Sequence, residues 1–243
     1  MILDAADFVF KPAPAIARAR RILIKPCAAY PLPHPVTTSR QTLEAVIKGI
    51  RRVSDADIIL LEGTPTGASM QPIYRALGYD FPRVLMLDVK DCIWVEVENP
   101  LLHPLAMPTF WVPNVVLSSD YLISIAPFKV MKPIPHFSIM NLVGLLPVSK
   151  YRGSAAGGWE SLDQFGMEKV LADLYFTLPF DLGIIDARYK FSGGDGPTDG
   201  ESEPYGRIFM GEPYEVDREA SRAARLQPEY LDMIDAGRAE LET

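Results

Sequence analysis

"RILIKPC", residues 21–27, is a β-branched apolar run closed by a proline, the pattern of a short strand buried on both faces. The connector after it, "PLPHPV" (31–36), is too proline-rich for helix. "TTSRQTLEAVIKGIRRVS" (37–54) then places Leu43, Val46, Ile47 and Ile50 at helical spacing, giving one apolar face. Its start is marked either by Thr38 with Gln41 as a capping box or by Ser39 as the cap. "ADIILLEG" (56–63) is a second buried run, "TPTGAS" leads into a helix around "MQPIYRALG" (70–78), and "RVLMLDV" (83–89) is a third strand. Strand, helix, strand, helix, strand is the order of a parallel α/β layer.

Outward from this nucleus the pattern loosens. "CIWVEVEN" (92–99) alternates and predicts an edge or antiparallel strand, while Pro113 demotes "FWVPNVVLSSD" to edge or irregular structure. "YLISIAPFKV" (121–130) and "DLGIIDARYKF" (181–191) read as further central strands, and "FSIMNLVGLL" (137–146) as a short buried helix. "ESLDQFGMEKVLADLYFTL" (160–178) predicts one longer amphipathic helix, "RIFMGE" (207–212) a short strand, and 214–226 and 228–241 two terminal helices. The expectation is an α/β fold: a largely parallel or mixed central sheet with helices on both faces, in a single domain over 1–243 with a β-rich central region.

Composition narrows the function classes. A net charge of −7 argues against nucleic-acid binding, which leaves a basic footprint. "RARR" (18–21) is a local exception, by default a solvated strand entry. No run of 18 apolar residues occurs, and the start "MILDAADFVF" lacks a signal peptide's basic and apolar regions, so no membrane association is expected. Cys27 and Cys92 are too few for a disulfide framework or an iron–sulfur cluster, and a reducing cytoplasm is the expected compartment.

In open parallel sheets ligands sit outside the carboxyl ends of the strands. The proposed strands end at Lys25, Glu62, Asp88, Lys129 and Asp186. Two ammonium groups and three carboxylates on one rim would shift one another's pKa values, a functional-site signal, although strands also end in charges because they end at the surface. Converging lysines favour an anionic ligand, and a desolvated lysine can also act as a base. "EGTPTGAS" (62–69) puts Glu62 and Gly63 before free backbone N–H groups at a helix start, without the ending of a P-loop. Asn141, inside an apolar stretch, needs partners if buried: it bridges backbone or points into a pocket. Of three proline-flanked histidines, His136 alone lies near the Lys129–Asn141 segment. Cys27 reads as an inert buried thiol, although a nearby ammonium would lower its pKa. No serine-hydrolase elbow or zincin motif is present.

The glycine-rich loop "FSGGDGPTDGESEPYG" (191–206) follows the last central strand. Counted from Asp195, Pro197 occupies the third position of an EF-hand, which excludes that reading. The loop is expected to fold over the rim, with Asp195, Gly196 and Asp199 towards Lys25 and Lys129 and "ESEP" (201–204) solvated.

Taken in order, "RILIKPC", "TTSRQTLEAVIKGI", "DIILLEG", "YLISIAPFKVM", "IMNLVGLLP" and "IIDARYKFSGGDGPTDG" resemble the domain-of-unknown-function family numbered 362, over about residues 20–225. The resemblance implies one constellation of Lys25, Lys129, Asn141 and Asp186. It also implies an asparagine and a histidine where this chain has Cys27 and Met131, which marks a divergent member. The iron–sulfur module of many relatives has no counterpart in this chain. The leading expectation is an enzyme or enzyme-like protein that binds a small phosphate- or carboxylate-bearing molecule at the strand-end rim. Lys25 and Lys129 would neutralise the ligand, Asp186 and Asp195 would act as acid/base groups or hold a divalent cation, and Asn141, Glu62, Gly63, Thr38, Gly196 and Asp199 would complete the binding set. The alternative is a non-catalytic subunit or partner-binding protein that has lost the family's activity, with a protein partner or a second copy meeting "LLHPLAMPTFWVP" (101–113).

Overall fold

The computed structural model describes residues 1–153, 158–193 and 196–241. Among them, β1 (Ile2–Asp4), β2 (Arg21–Pro26), α1 (Arg40–Arg51), β3 (Asp57–Glu62), α2 (Met70–Ala76) and β4 (Val84–Asp88) follow the expected order. A hairpin, β5 (Trp94–Glu98) and β6 (Thr109–Pro113), forms a separate two-stranded antiparallel sheet. Then come α3 (Asn114–Leu117), β7 (Tyr121–Val130), a 3₁₀ helix (Met140–Leu145), α4 (Val148–Tyr151), α5 (Glu160–Asp163) and α6 (Met167–Thr177). The chain closes with β8 (Leu182–Ser192), β9 (Glu201–Gly211), α7 (Pro213–Ala224) and α8 (Glu229–Leu241).

The main sheet is mixed, in the order β1-β9-β8-β7-β2-β3-β4, parallel from β8 to β4 and antiparallel at β9 and β1. Helices cover both faces. Leu43, Val46, Ile47 and Ile50 of α1 pack on Ile22, Ile24, Ile58 and Leu60. On the other face, Leu142 and Val143 of the 3₁₀ helix and Val170, Leu171 and Leu174 of α6 pack with Leu23, Ile59 and Leu61. No described helix is long and apolar enough to cross a membrane.

Three local expectations are corrected. The helix expected over 160–178 breaks, because Gly166 at φ +82° caps α6 and ends the preceding turn. The strand expected as "RIFMGE" begins six residues earlier, at Glu201, so "ESEP" is exposed but paired with β8. The strand expected over 181–191 is present as β8, but Asp186 lies within it, just before an irregularity after Ala187, and not at its end.

Candidate functional site

β2 lies between β7 and β3, so Lys25 pairs in register with Ser124, and Glu62 ends the next strand. Lys25 is 1% exposed. Its Nζ donates to Glu62 Oε2 at 2.8 Å, Asn141 Oδ1 at 3.0 Å and the Pro26 carbonyl at 2.9 Å, which occupies all three ammonium donors. Glu62 also accepts from the backbone N–H groups of Ala28 and Gly63 at 2.8 and 2.9 Å. Burial pushes the Glu62 carboxyl up, opposed by Lys25 and these donors. Asn141 Nδ2 donates to the Lys25 carbonyl and to Ser124 Oγ, each at 3.0 Å. The expectation that Lys25 is available to a ligand is therefore corrected: it forms a closed, neutral unit with Glu62.

The 3₁₀ helix lies across this unit, and Gly144 permits the approach. A Cβ on Gly144 would overlap Glu62 Oε1 and stand 2.8 Å from Lys25 Nζ. Buried Asp217 fixes the start of this segment by accepting from the Ser138 and Ile139 backbones, Ser138 Oγ and the Tyr230 hydroxyl. Burial raises the Asp217 carboxyl to about 6 against the pull of those donors.

Lys129 is equally buried, at 1% exposure, and differently partnered. Its Nζ donates to the carbonyls of Pro197 and Val36, the latter at 3.4 Å. Among the described residues no carboxylate lies within ion-pair distance of it. Burial lowers its pKa, and Cys27 opposes that shift. Lys25, Glu62, Lys129 and Asn141 all border one cavity of about 220 Å³, walled by Tyr30, Met140, Val143 and Trp159, with Cys27 and His136 at its edge. Burial raises the Cys27 thiol, with Lys129 and then Lys25 pulling the other way.

Asp186 is not in this cavity, which corrects the single-constellation expectation. Its Oδ2 accepts from Ser39 Oγ and Thr42 Oγ1 at 2.6 Å and from Arg188 Nη1 at 2.7 Å. His34 Nε2 stands 3.6 Å from Oδ1. Burial alone would raise its pKa, but His34, Arg188 and the two hydroxyls outweigh it and hold the carboxyl below the usual range. Thr38 is not the helix cap either. Ser39 caps α1, while Thr38 Oγ1 accepts from the Cys27 N–H and donates to the Ile125 carbonyl, tying the connector to β7.

Among the described residues, the glycine-rich loop reaches the cavity through Pro197, whose carbonyl accepts from Lys129. Asp199 is exposed, Gly196 does not border this cavity, and Asp195 lies outside the described residues. Asp88 accepts from the Met70 and Lys90 backbones and serves α2 and the turn after β4. No group of three or more His, Cys, Asp or Glu side chains able to hold a metal occurs among the described residues. Tyr30, Trp159 and Pro197 were missed from sequence: as loop residues they carried no periodicity to place them.

His136 sits beside Lys129, whose carbonyl accepts the His136 backbone N–H at 3.0 Å. Burial, then the Lys129 charge, lowers its imidazole from 6.5 to about 4. A histidine with a depressed folded pKa stabilises the fold above its unfolded pKa and loses that stability as pH falls. Unfolding free energy is expected to drop by up to about 3 kcal/mol between pH 6.5 and 4, and His136→Gln to flatten that limb. Urea melts across this range test it; equal slopes in the two proteins would refute it.

An open, mostly parallel α/β sheet with a cavity at the carboxyl ends of its strands defines a broad class of ligand-binding folds. A model described as "Domain of unknown function (DUF362)" matches residues 22–222, and the chain belongs to this family. Among solved structures it is similar to the lactate racemase apoprotein from Thermoanaerobacterium thermosaccharolyticum, with a TM-score of 0.51 and 13% identity over 90% of this chain. That alignment covers 53% of the racemase, so the chain spans about half its length, and the likeness concerns the fold alone. No curated protein sequence matches the chain.

Proposed function

We propose that the protein binds a small anionic molecule, bearing carboxylate or phosphate, in the cavity at the ends of β2 and β7, with Lys129 as the ligand's cation. The observation that carries this reading is the contrast between two buried lysines on one cavity. Lys25 has a carboxylate partner at 2.8 Å, whereas Lys129 meets two backbone carbonyls and the face of Phe191 and no carboxylate among the described residues. A buried ammonium without a counter-ion is unfavourable, and an anion in the cavity relieves that cost. The Lys25–Glu62–Asn141 unit then acts as a rigid floor, and the apolar wall of Met140, Val143 and Trp159 excludes water around the ion pair.

Thermal-shift titration with lactate, acetate and inorganic phosphate, with and without Mg²⁺, tests this. Lactate is the acid named for the protein of similar fold. At about 100 times Kd a ligand adds about 2.7 kcal/mol to apparent stability. Lys129→Gln is expected to abolish the shift and Lys129→Arg to retain part of it. Affinity should fall as pH rises through the depressed pKa of Lys129. Absence of any stabilisation, or equal stabilisation of Lys129→Gln, would overturn the reading.

The alternative, a partner-binding or self-associating protein, draws on Leu102 and Leu105, exposed at 81% and 41%. Their segment offers little more, since Leu101, Phe110 and Val112 are core and Asp173 fastens 105–107 through three backbone N–H groups. A concentration-dependent mass in light scattering, lost in Leu102→Ser, would favour it.

A further inference from the structure

We propose that Lys129 is also a nucleophile, condensing with the carbonyl of a small 2-oxo acid held in the cavity to form an imine. The inference deepens the anion-site reading and rests on it, for it names the class of anion.

Three observations lead there. The first is the hydrogen-bond geometry of the amine. The carbonyls of Val36 and Pro197 accept two N–H groups from Lys129. A neutral amine has two N–H donors and one lone pair, so the same two bonds leave the lone pair unengaged. Lys25 offers the internal comparison: three acceptors, two of them side chains of Glu62 and Asn141, surround its Nζ and leave no free direction.

The second observation is the surroundings. Lys129 is buried, no carboxylate among the described residues lies within ion-pair distance of it, and its Nζ stands 5.5 Å from the centroid of the Phe191 ring. Burial of this kind raises the fraction of free amine at neutral pH, one of the known routes to a nucleophilic lysine. Apolar walls from Ala29, Met140, Val143 and Trp159 limit the water that would hydrolyse an imine.

The third is charge balance. The amine lone pair attacks the carbonyl carbon, a C–N bond forms, and the C=O bond is lost as oxygen leaves as water. Starting from ammonium and a 2-oxo carboxylate, the products are an iminium carboxylate and one water. One positive and one negative charge stand on each side, and no oxidant or reductant is needed. A simple aldehyde would leave the iminium unpaired in an apolar cavity, so the carboxylate selects 2-oxo acids over neutral carbonyl compounds.

Treating the whole protein with pyruvate and sodium cyanoborohydride at pH 7, followed by peptide mapping, tests the step. Hydride from cyanoborohydride reduces the imine to a stable secondary amine. An N-(1-carboxyethyl) group is expected on Lys129, forming about tenfold faster than on exposed Lys132, because the cavity holds the 2-oxo acid against the Lys129 amine. Lys129→Arg should lose the adduct while keeping part of the stabilisation by lactate. Labelling of Lys129 no faster than Lys132, or none, overturns the inference. If lactate and pyruvate then still raise the melting temperature, the anion site stands without the chemistry. If neither anion stabilises and no adduct forms, both readings fall. An adduct on Lys129 without stabilisation by lactate would overturn the anion site and, with it, the selection of 2-oxo acids by their carboxylate.

Discussion

Glu62→Leu is expected to lower stability by about 3–5 kcal/mol, the cost of leaving one member of a buried ion pair without its partner. Lys25 Nζ would keep only Asn141 Oδ1 and the Pro26 carbonyl, and the N–H groups of Ala28 and Gly63 would lose their acceptor. For a chain of this size such a loss lowers Tm by roughly 6–20 °C. Adding Lys25→Met should recover much of it, because two apolar side chains of matched volume can replace a buried pair with little penalty. Urea titrations of the two single variants and the double variant close the cycle. A double variant as unstable as the sum of the singles would show that the pair does not act as a unit. Folded double variant should still take an anion at Lys129, since Lys25 is not the ligand's partner in the proposed site.

The second large effect is expected at Asp186. Asp186→Asn should cost about 2–4 kcal/mol at pH 7, because Ser39, Thr42 and Arg188 all aim donors at the carboxylate and one carboxamide face presents another donor. The pH dependence carries the diagnostic sign. His34 and Arg188 help to hold the folded pKa below 3.8, so the stabilisation is present above that value and is lost as pH falls through the folded pKa. Wild type and Asp186→Asn should therefore differ most near neutrality and converge on acidification below about pH 4. A gap that stays constant down to acid unfolding would mean that the charge of Asp186 is not what stabilises this junction of α1 and β8.

The parallel layer was legible because β2, β3, β4 and β7 are short apolar runs with breakers between them, and α1 shows one clean apolar face. β9 was only half legible. Residues 201–207 are exposed and carry Glu201, Glu203 and Arg207, so backbone pairing with β8 holds them where hydrophobic alternation cannot. The rim was legible as a row of strand-end charges, and three of its members, Lys25, Glu62 and Lys129, border one cavity together with Asn141. What failed was side-chain parity. Asp186 is two residues beyond Ile184, which packs with Leu43 and Val46 under α1, whereas Lys25 is two beyond Leu23, which packs on the opposite face with Leu142 and Val143. In a strand those intervals preserve the face. Neighbouring strand ends can thus share a rim yet send their charges to opposite sides of the sheet. The register that decides this depends on pairing between segments far apart in sequence.

That distance has a temporal consequence. The bond from Lys25 to Asn141 spans 116 residues, and β2 cannot meet β7 until about a hundred intervening residues have been threaded. The β2–α1–β3–α2–β4 unit can gather from near neighbours in sequence, but the cavity has no existence until β7 docks on β2's other edge. Loop closure of that length makes docking slow, so the binding site is among the last features to form as the chain folds. Refolding followed by recovery of ligand binding should accordingly lag behind recovery of helix signal.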